Sequence, residues 1–318
     1  MLQLGIIGAG IMGERLLRAA LEHAADLVRI TGVWDAAPAA LDRIGAALPG
    51  VPIAESAAEV IASADCVYVA TPPSSHLDYA QQALASGKAV FLEKPLAVDL
   101  AAAEAFTRRH DGDRIAVNFP FASSFAVEKL WAWLDEGVIA APRGFEIEVG
   151  FAAWPRPWQQ GAASWLAGRE EGGFTREVVS HFLFLSRRLL GPVVLLNARA
   201  EFDGTGTERR ITARLEAGGV PGKLHGAVGE TTKDDTNSWT MIGTGGIRLR
   251  DWSIAERERP DGTWVADPDA MPNEKARPLV LRRQLEQVAC MTRGEPHRLA
   301  RLHEAFEVQA VVETILRE

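Results

Sequence analysis

A chain of 318 residues, 47% hydrophobic and 24% charged, has room for two domains with cores of their own, and its composition excludes a disordered or fibrous protein. Its formal charge of −8 gives nothing to offset phosphate repulsion, so neither nucleic acid nor an anionic membrane surface is an expected partner. Two cysteines, Cys66 and Cys290, stand far apart in apolar surroundings; they suit neither a disulfide framework nor a metal site, and predict buried thiols, no metal and a reducing, cytoplasmic location.

The N-terminal stretch is apolar but has no basic leader, and its glycines are followed at once by Glu14 and Arg15, so it reads as a strand and turn rather than a signal peptide. No apolar run approaches the ~18 residues of a membrane span. In chain order, Leu2–Ile7 predicts a strand, 12–24 a helix, Val28–Trp34 a strand and 39–48 a helix. A strand within 63–70, a helix over 75–86, a strand at 89–92, a helix over 99–110 and a strand over 115–118 complete the first third. Continuous apolar strands alternating with amphipathic helices predict a doubly wound α/β fold, a parallel Rossmann sheet covered on both faces, over 1–118.

The pattern then changes. A helix over 124–136 leads to an alternating strand at 144–151, a Trp-, Pro- and Gly-rich loop over 152–172, and a helix over 175–190 stopped by Gly191-Pro192. Strand-like runs at 193–202, 209–215, 223–228, 239–243 and 247–253, separated by glycine turns, predict a mostly antiparallel sheet with one open face. Helices over 279–292 and 303–316 close the chain. Residues 119–318 are therefore expected to form an α+β domain that binds substrate and, through the open sheet face, a second copy, as a homodimer or homotetramer.

Gly8-Ala9-Gly10-Ile11-Met12-Gly13 follows a predicted strand and opens a predicted helix, the context a dinucleotide-binding loop needs. Gly8 permits the tight turn, Gly10 lets a pyrophosphate approach the backbone, and Gly13 lets helix and strand pack closely, while the helix N-terminus offers free N–H groups. Asp35 ends the second strand, where a carboxylate accepts from ribose hydroxyls; Ala36, Ala37 and Pro38 supply no arginine for a 2′-phosphate, which favours NAD over NADP. Thr71, Pro72, Pro73 and His76 follow another strand at the carboxyl edge of the sheet, where they either line the nicotinamide side or form a rigid capped turn. Glu93-Lys94-Pro95 lies at the same edge, and Pro95 holds the residue before it extended, so the Lys94 ammonium is restrained.

The strand–glycine loop–helix, the Thr71-Pro72-Pro73 segment and the Glu93-Lys94-Pro95 tripeptide together resemble the Gfo/Idh/MocA oxidoreductase family, over nearly the whole chain. The family usually carries D-x-G-x-H-x-x-D on a helix of its second domain. Here the matching stretch holds Glu177 for the first Asp, Val179 for the Gly, His181 for the catalytic His and Phe184 for the last Asp. The resemblance implies that Lys94 and His181 bracket the reacting oxygen. Lys94 would polarise it, His181 would exchange the hydroxyl proton, Glu177 would orient substrate or His181, and the nicotinamide would take or give the hydride. It also implies that Glu93 and Asn118 face the cofactor and Phe119 the substrate.

Trp154, Trp158 and Trp165 crowd one loop; they stack on a sugar ring, cap the nicotinamide, or are buried beneath the loop. Arg176, with Arg156 and Arg169, would favour an acidic substrate if it faced the cleft, and is otherwise a loop charge. The leading expectation is an NAD(P)-dependent dehydrogenase or reductase acting on the CH–OH group of a sugar, polyol or derivative. The alternatives are a glycosidase using NAD transiently, an imine reductase, and a non-catalytic cofactor-sensing regulator.

Overall fold

Strands β1 (Leu2–Ile7), β2 (Val28–Trp34), β3 (Cys66–Val69), β4 (Ala89–Leu92) and β5 (Ile115–Val117) form one parallel sheet in the order β2-β1-β3-β4-β5. Every residue of β3 and β4 is buried, which is why their apolar runs do not alternate: both faces are covered. The covering helices are α1 (Ile11–His23), α2 (Pro38–Ala47), α3 (Ala57–Ser63), α4 (His76–Ala85) and α5 (Leu100–His110). The short α3, capped by Ser56 Oγ accepting from the Glu59 N–H, lies where no helix was expected. The doubly wound expectation holds.

The computed structural model describes residues 1–318, and they divide into two compact units: Met1–Ser123 with Pro278–Phe306, and Ser124–Arg277 with Glu307–Glu318. The first unit therefore recruits chain from far downstream. In it, Leu281, Leu285, Val288 and Met291 join Leu16, Tyr68 and Phe91 in one core.

The second unit begins with α6 (Phe125–Asp135), β6 (Gly144–Phe151) and the short α7 (Ala163–Leu166). The segment expected as one helix over 175–190 is instead a π-helical turn, Thr175–Val179, running into α8 (Ser180–Leu190). Then come β7 (Val193–Phe202), β8 (Glu208–Ala217), β9 (Val220–Val228), β10 (Thr236–Ile242), β11 (Gly246–Arg250), β12 (Ile254–Glu258) and β13 (Trp264–Ala266). The last two strands were not expected: β12 is charged and β13 is only three residues long. The sheet order is β13-β12-β11-β10-β6-β9-β8-β7, antiparallel except for the parallel β6–β9 pair. Burial alternates along β8, so one sheet face is core and the other open. On the core face Phe145 stacks with Trp239, whose indole N–H donates to Ser186 Oγ at 2.9 Å.

Helices α9 (Asn273–Thr292), with Pro278 inside it, and α10 (Leu302–Ile315) end the chain. No helix is long and apolar enough to cross a membrane. Cys66 is buried, and burial pushes its thiol up to about 12, whereas Cys290 is half-buried rather than buried as expected.

Candidate active site

The glycine loop between β1 and α1 is shaped by two crossings. A methyl on Gly13 would sit 1.8 Å from the Gly8 carbonyl oxygen, and one on Gly8, whose φ is +104°, would meet the Ala70 carbonyl group at 2.5 Å. Gly10 differs: nothing lies within 4 Å of the space a side chain would take, and no side chain caps the helix it begins. Ile11 and Met12 follow, half-buried, in the first turn of α1. Open backbone at a helix N-terminus fits a pyrophosphate, so the residues present suit a bound dinucleotide.

Asp35 reinforces the loop. Its carboxylate accepts the Ala9 N–H at 2.7 Å and the Ala37 N–H at 2.8 Å. Arg43, which the sequence reading missed because it stands beyond the strand end on α2, donates to the Ala9 carbonyl at 2.6 Å and pairs with Glu14. Burial works to raise the Glu14 carboxyl, but hydrogen bonds from Arg18 and Arg43 hold it below the usual carboxylate range.

Because β1, β3 and β4 are neighbours, the segments after them share the carboxyl edge of the sheet: the glycine loop, Thr71-Pro72-Pro73, and Glu93-Lys94-Pro95. Lys94 is half-buried there, and its peptide bond to Pro95 is cis. His76, expected at the cofactor, is instead buried. Its Nδ1 lies 2.7 Å from the Pro95 carbonyl oxygen and its Nε2 2.7 Å from that of Thr71. The ring sits between two of the edge segments; when neutral it has one N–H and donates to one of the two carbonyls. Burial holds its pKa below the usual histidine value, against the pull of the two carbonyl acceptors.

Asn118 is likewise turned inward. Its Nδ2 donates to Glu93 Oε1 at 2.6 Å and to Tyr68 Oη at 3.3 Å, and its Oδ1 accepts from Gln284 Nε2 at 2.7 Å. The Tyr68 hydroxyl also donates to Glu93. Burial, then the Glu93 charge, pushes the Tyr68 phenol well above its ordinary value. This buried network holds Glu93 beside Lys94, with Tyr68 and Gln284 as members the sequence did not reveal. Phe119 is buried next to it.

In the second unit, His181 stands in the first turn of α8, buried, with Glu177 half-buried in the π-turn before it. Such turns are frequent at functional sites. The π-turn is anchored by Glu208, which accepts the Thr175 N–H at 2.6 Å; burial raises the Glu208 carboxyl. Arg176, expected at the substrate, is committed elsewhere. Its Nε and Nη2 bind the two Glu313 oxygens at 2.7 and 2.8 Å, and Nη1 donates to the Arg169 and Gly172 carbonyls.

Trp154 is half-buried, packs edge-on to Phe151 and donates its indole N–H to the Leu166 carbonyl. Trp165 is half-buried. Trp158 is 47% exposed and lies over the Arg156 guanidinium at 4.7 Å. Arg156 itself is buried and binds Asp235 at 2.5 Å.

Residues 2–118 match a family described as an oxidoreductase family with an NAD-binding Rossmann fold, GFO_IDH_MocA. A dTDP-3,4-didehydro-2,6-dideoxy-alpha-D-glucose 3-reductase of Actinomadura kijaniata is 32% identical over 163 residues, 49% of this chain and 47% of that protein. An inositol 2-dehydrogenase of Rhizobium meliloti (strain 1021) is 28% identical over 192 residues, 59% of this chain and 54% of that protein. The chain thus spans about half the length of these curated relatives. Among solved structures, the WlbA dehydrogenase from Bordetella pertussis, in complex with NADH and UDP-GlcNAcA, has a TM-score of 0.80 at 20% identity, covering 99% of this chain and 94% of that one. At that identity the likeness is one of fold.

Proposed function

We propose, because residues 2–118 match the family of oxidoreductases with an NAD-binding Rossmann fold, that the chain is a dehydrogenase or reductase acting on the CH–OH or carbonyl carbon of a sugar, polyol or derivative. In this reading residues 1–118 hold the dinucleotide, and residues 119–318 bind the substrate and join copies into a homodimer or homotetramer. The observation that carries it is the open backbone at Gly10 on the same sheet edge as Lys94.

A bound dinucleotide would supply the hydride acceptor or donor. Gly8, Gly10, Ile11, Met12 and Gly13 would hold its pyrophosphate, and Asp35 its adenosine ribose. NAD is favoured over NADP, because the Asp35 carboxylate repels a 2′-phosphate and the nearby Arg43 charge is already matched by Glu14. Lys94 polarises the reacting oxygen and stabilises negative charge developing on it. The Tyr68–Glu93–Asn118 network, with the buried His76 ring packed against the Pro95 carbonyl, keeps the Lys94 segment in place. His181 takes the hydroxyl proton during oxidation and returns it during reduction, and Glu177 orients the substrate. The relatives that reduce a deoxysugar nucleotide or oxidise inositol support the substrate class.

The test follows nicotinamide absorbance with NAD and NADP against sugars, polyols and sugar acids, beside Lys94→Ala and His181→Ala. Turnover that prefers NAD and falls by ~100-fold or more in both variants is expected. Tight NADH binding without net turnover in either direction would move the protein to transient redox or to sensing.

A further inference from the structure

Trp252 adopts a backbone conformation that its side chain disfavours. Its φ is +69°, and that of Asp251 before it is +49°. A β-carbon in the left-handed region crowds the carbonyl oxygen, so glycine or asparagine is the usual occupant of such a turn. Here the turn is retained with a bulky aromatic, and three polar contacts hold it. The Trp252 backbone N–H donates to Asn237 Oδ1 at 3.0 Å, its indole N–H donates to Asp235 Oδ2 at 3.2 Å, and Asn237 Nδ2 donates to Asp235 Oδ1 at 2.8 Å. Non-glycine residues held this way cluster where function needs the side chain more than the backbone needs relief.

What the turn achieves is placement. The indole stands edge-on to the His181 imidazole, ring centroids 5.7 Å apart at 76°, and leans on Phe182 at 5.4 Å. Trp252 is half-buried. Asp235 also binds Arg156, whose guanidinium carries the exposed Trp158. A single carboxylate therefore links Trp252, which stands beside His181, to the aromatic loop.

We propose that Trp252 is a specificity-determining residue, the apolar wall against which the C–H face of a ring polyol packs while His181 meets one of its hydroxyls. The inference rests on the role given to His181 above. A pyranose or cyclitol offers a flat C–H face to an indole; an open-chain polyol of the same hydroxyl count has no lasting face to offer.

The full chain with NAD present is titrated with myo-inositol, D-glucose and the open-chain sorbitol. The indole N–H signals of 15N-tryptophan-labelled protein are followed by NMR, and the Trp252 signal is assigned by its loss in Trp252→Phe. The expected result is a saturable shift of that signal with a ring polyol and not with sorbitol. Trp252→Gly, which relieves the backbone, should raise KM for the ring polyol by ~10-fold with kcat within ~3-fold, while Trp252→Phe stays within ~3-fold in both. Absence of a Trp252 shift with both ring compounds, or equal KM changes for ring and open-chain substrates, overturns the proposal. A saturable shift without turnover leaves the wall standing and removes the dehydrogenase reading. Turnover of a ring polyol with no shift does the reverse.

Discussion

The Asp35 carboxylate grips the backbone of Ala9 at 2.7 Å, so the residue expected to read the adenosine ribose also braces the glycine loop. Its second oxygen holds Ala37. Charge-assisted hydrogen bonds of this kind contribute about 1.5–3 kcal/mol each. Asp35→Ala should therefore lower the melting temperature and weaken NAD binding by at least ~10-fold. Removal of the carboxylate also removes the repulsion felt by a 2′-phosphate, so the ratio of NAD to NADP affinity should fall. Calorimetric titration with both dinucleotides checks this; an unchanged ratio would show that Asp35 serves the loop alone.

Gly10 and Gly13 separate binding from folding. Alanine at Gly13 collides with the Gly8 carbonyl oxygen at 1.8 Å, backbone against backbone, and the loop cannot yield without losing its turn. A loss of several kcal/mol, of the order seen for strained or overpacked sites, is expected in denaturant unfolding, ~3 or more. Alanine at Gly10 meets nothing within 4 Å at a φ of −73°. Gly10→Ala should leave unfolding within about 1 kcal/mol of the parent yet cut dinucleotide affinity by ~10-fold or more, because the methyl stands where a pyrophosphate would approach. A Gly10→Ala protein that binds NAD normally would refute that placement.

These loops were legible in the sequence because their rules are local: a strand, three spaced glycines and a helix specify one turn. The parallel, doubly wound sheet was legible too, through runs that are apolar on both faces. The partners of polar residues were not. His76 and Asn118 stand at the carboxyl edge, where a ligand-facing role is the natural reading, but their partners arrive from elsewhere in the chain. Gln284, 166 residues beyond Asn118, comes from α9, and a spacing that long carries no pattern. The π-turn at Thr175–Val179 escaped for a related reason: its apolar residues continue the period of α8, while its anchor, Glu208, lies on β8. The left-handed turn at Asp251-Trp252 is hidden by composition, since its stabilising groups, Asn237 and Asp235, belong to another strand and its approach.

His76 makes stability depend on pH in a definite direction. Its folded-state pKa lies below the ordinary histidine value of 6.5, so the folded protein takes up the proton less readily than the unfolded chain. The stabilisation is complete above the unfolded pKa and is lost as pH falls through the folded one. The melting temperature should therefore decline on acidification below about 6.5, and His76→Gln, which cannot acquire the charge, should decline less over that window. Parallel slopes for the two proteins between pH 7 and pH 5 would sink this assignment.

The Arg176–Glu313 pair offers the sharpest stability test in the second unit. Their side chains are 9% and 12% exposed, and the guanidinium grips both carboxylate oxygens. Arg176 also donates to two carbonyls of the segment leading into the π-turn, so the pair fastens α10 to that turn. Glu313→Ala leaves a buried cation without its counter-ion, a change that costs about 3–5 kcal/mol. Replacing both residues by apolar ones of similar volume (Arg176→Met with Glu313→Leu) should recover part of that loss, because no charge is then left buried. Chemical denaturation of the two proteins decides it. If Glu313→Ala unfolds within about 1 kcal/mol of the parent, the pair behaves as an exposed one. Arg176 would then be available to a ligand after all, and a substrate role for it would return.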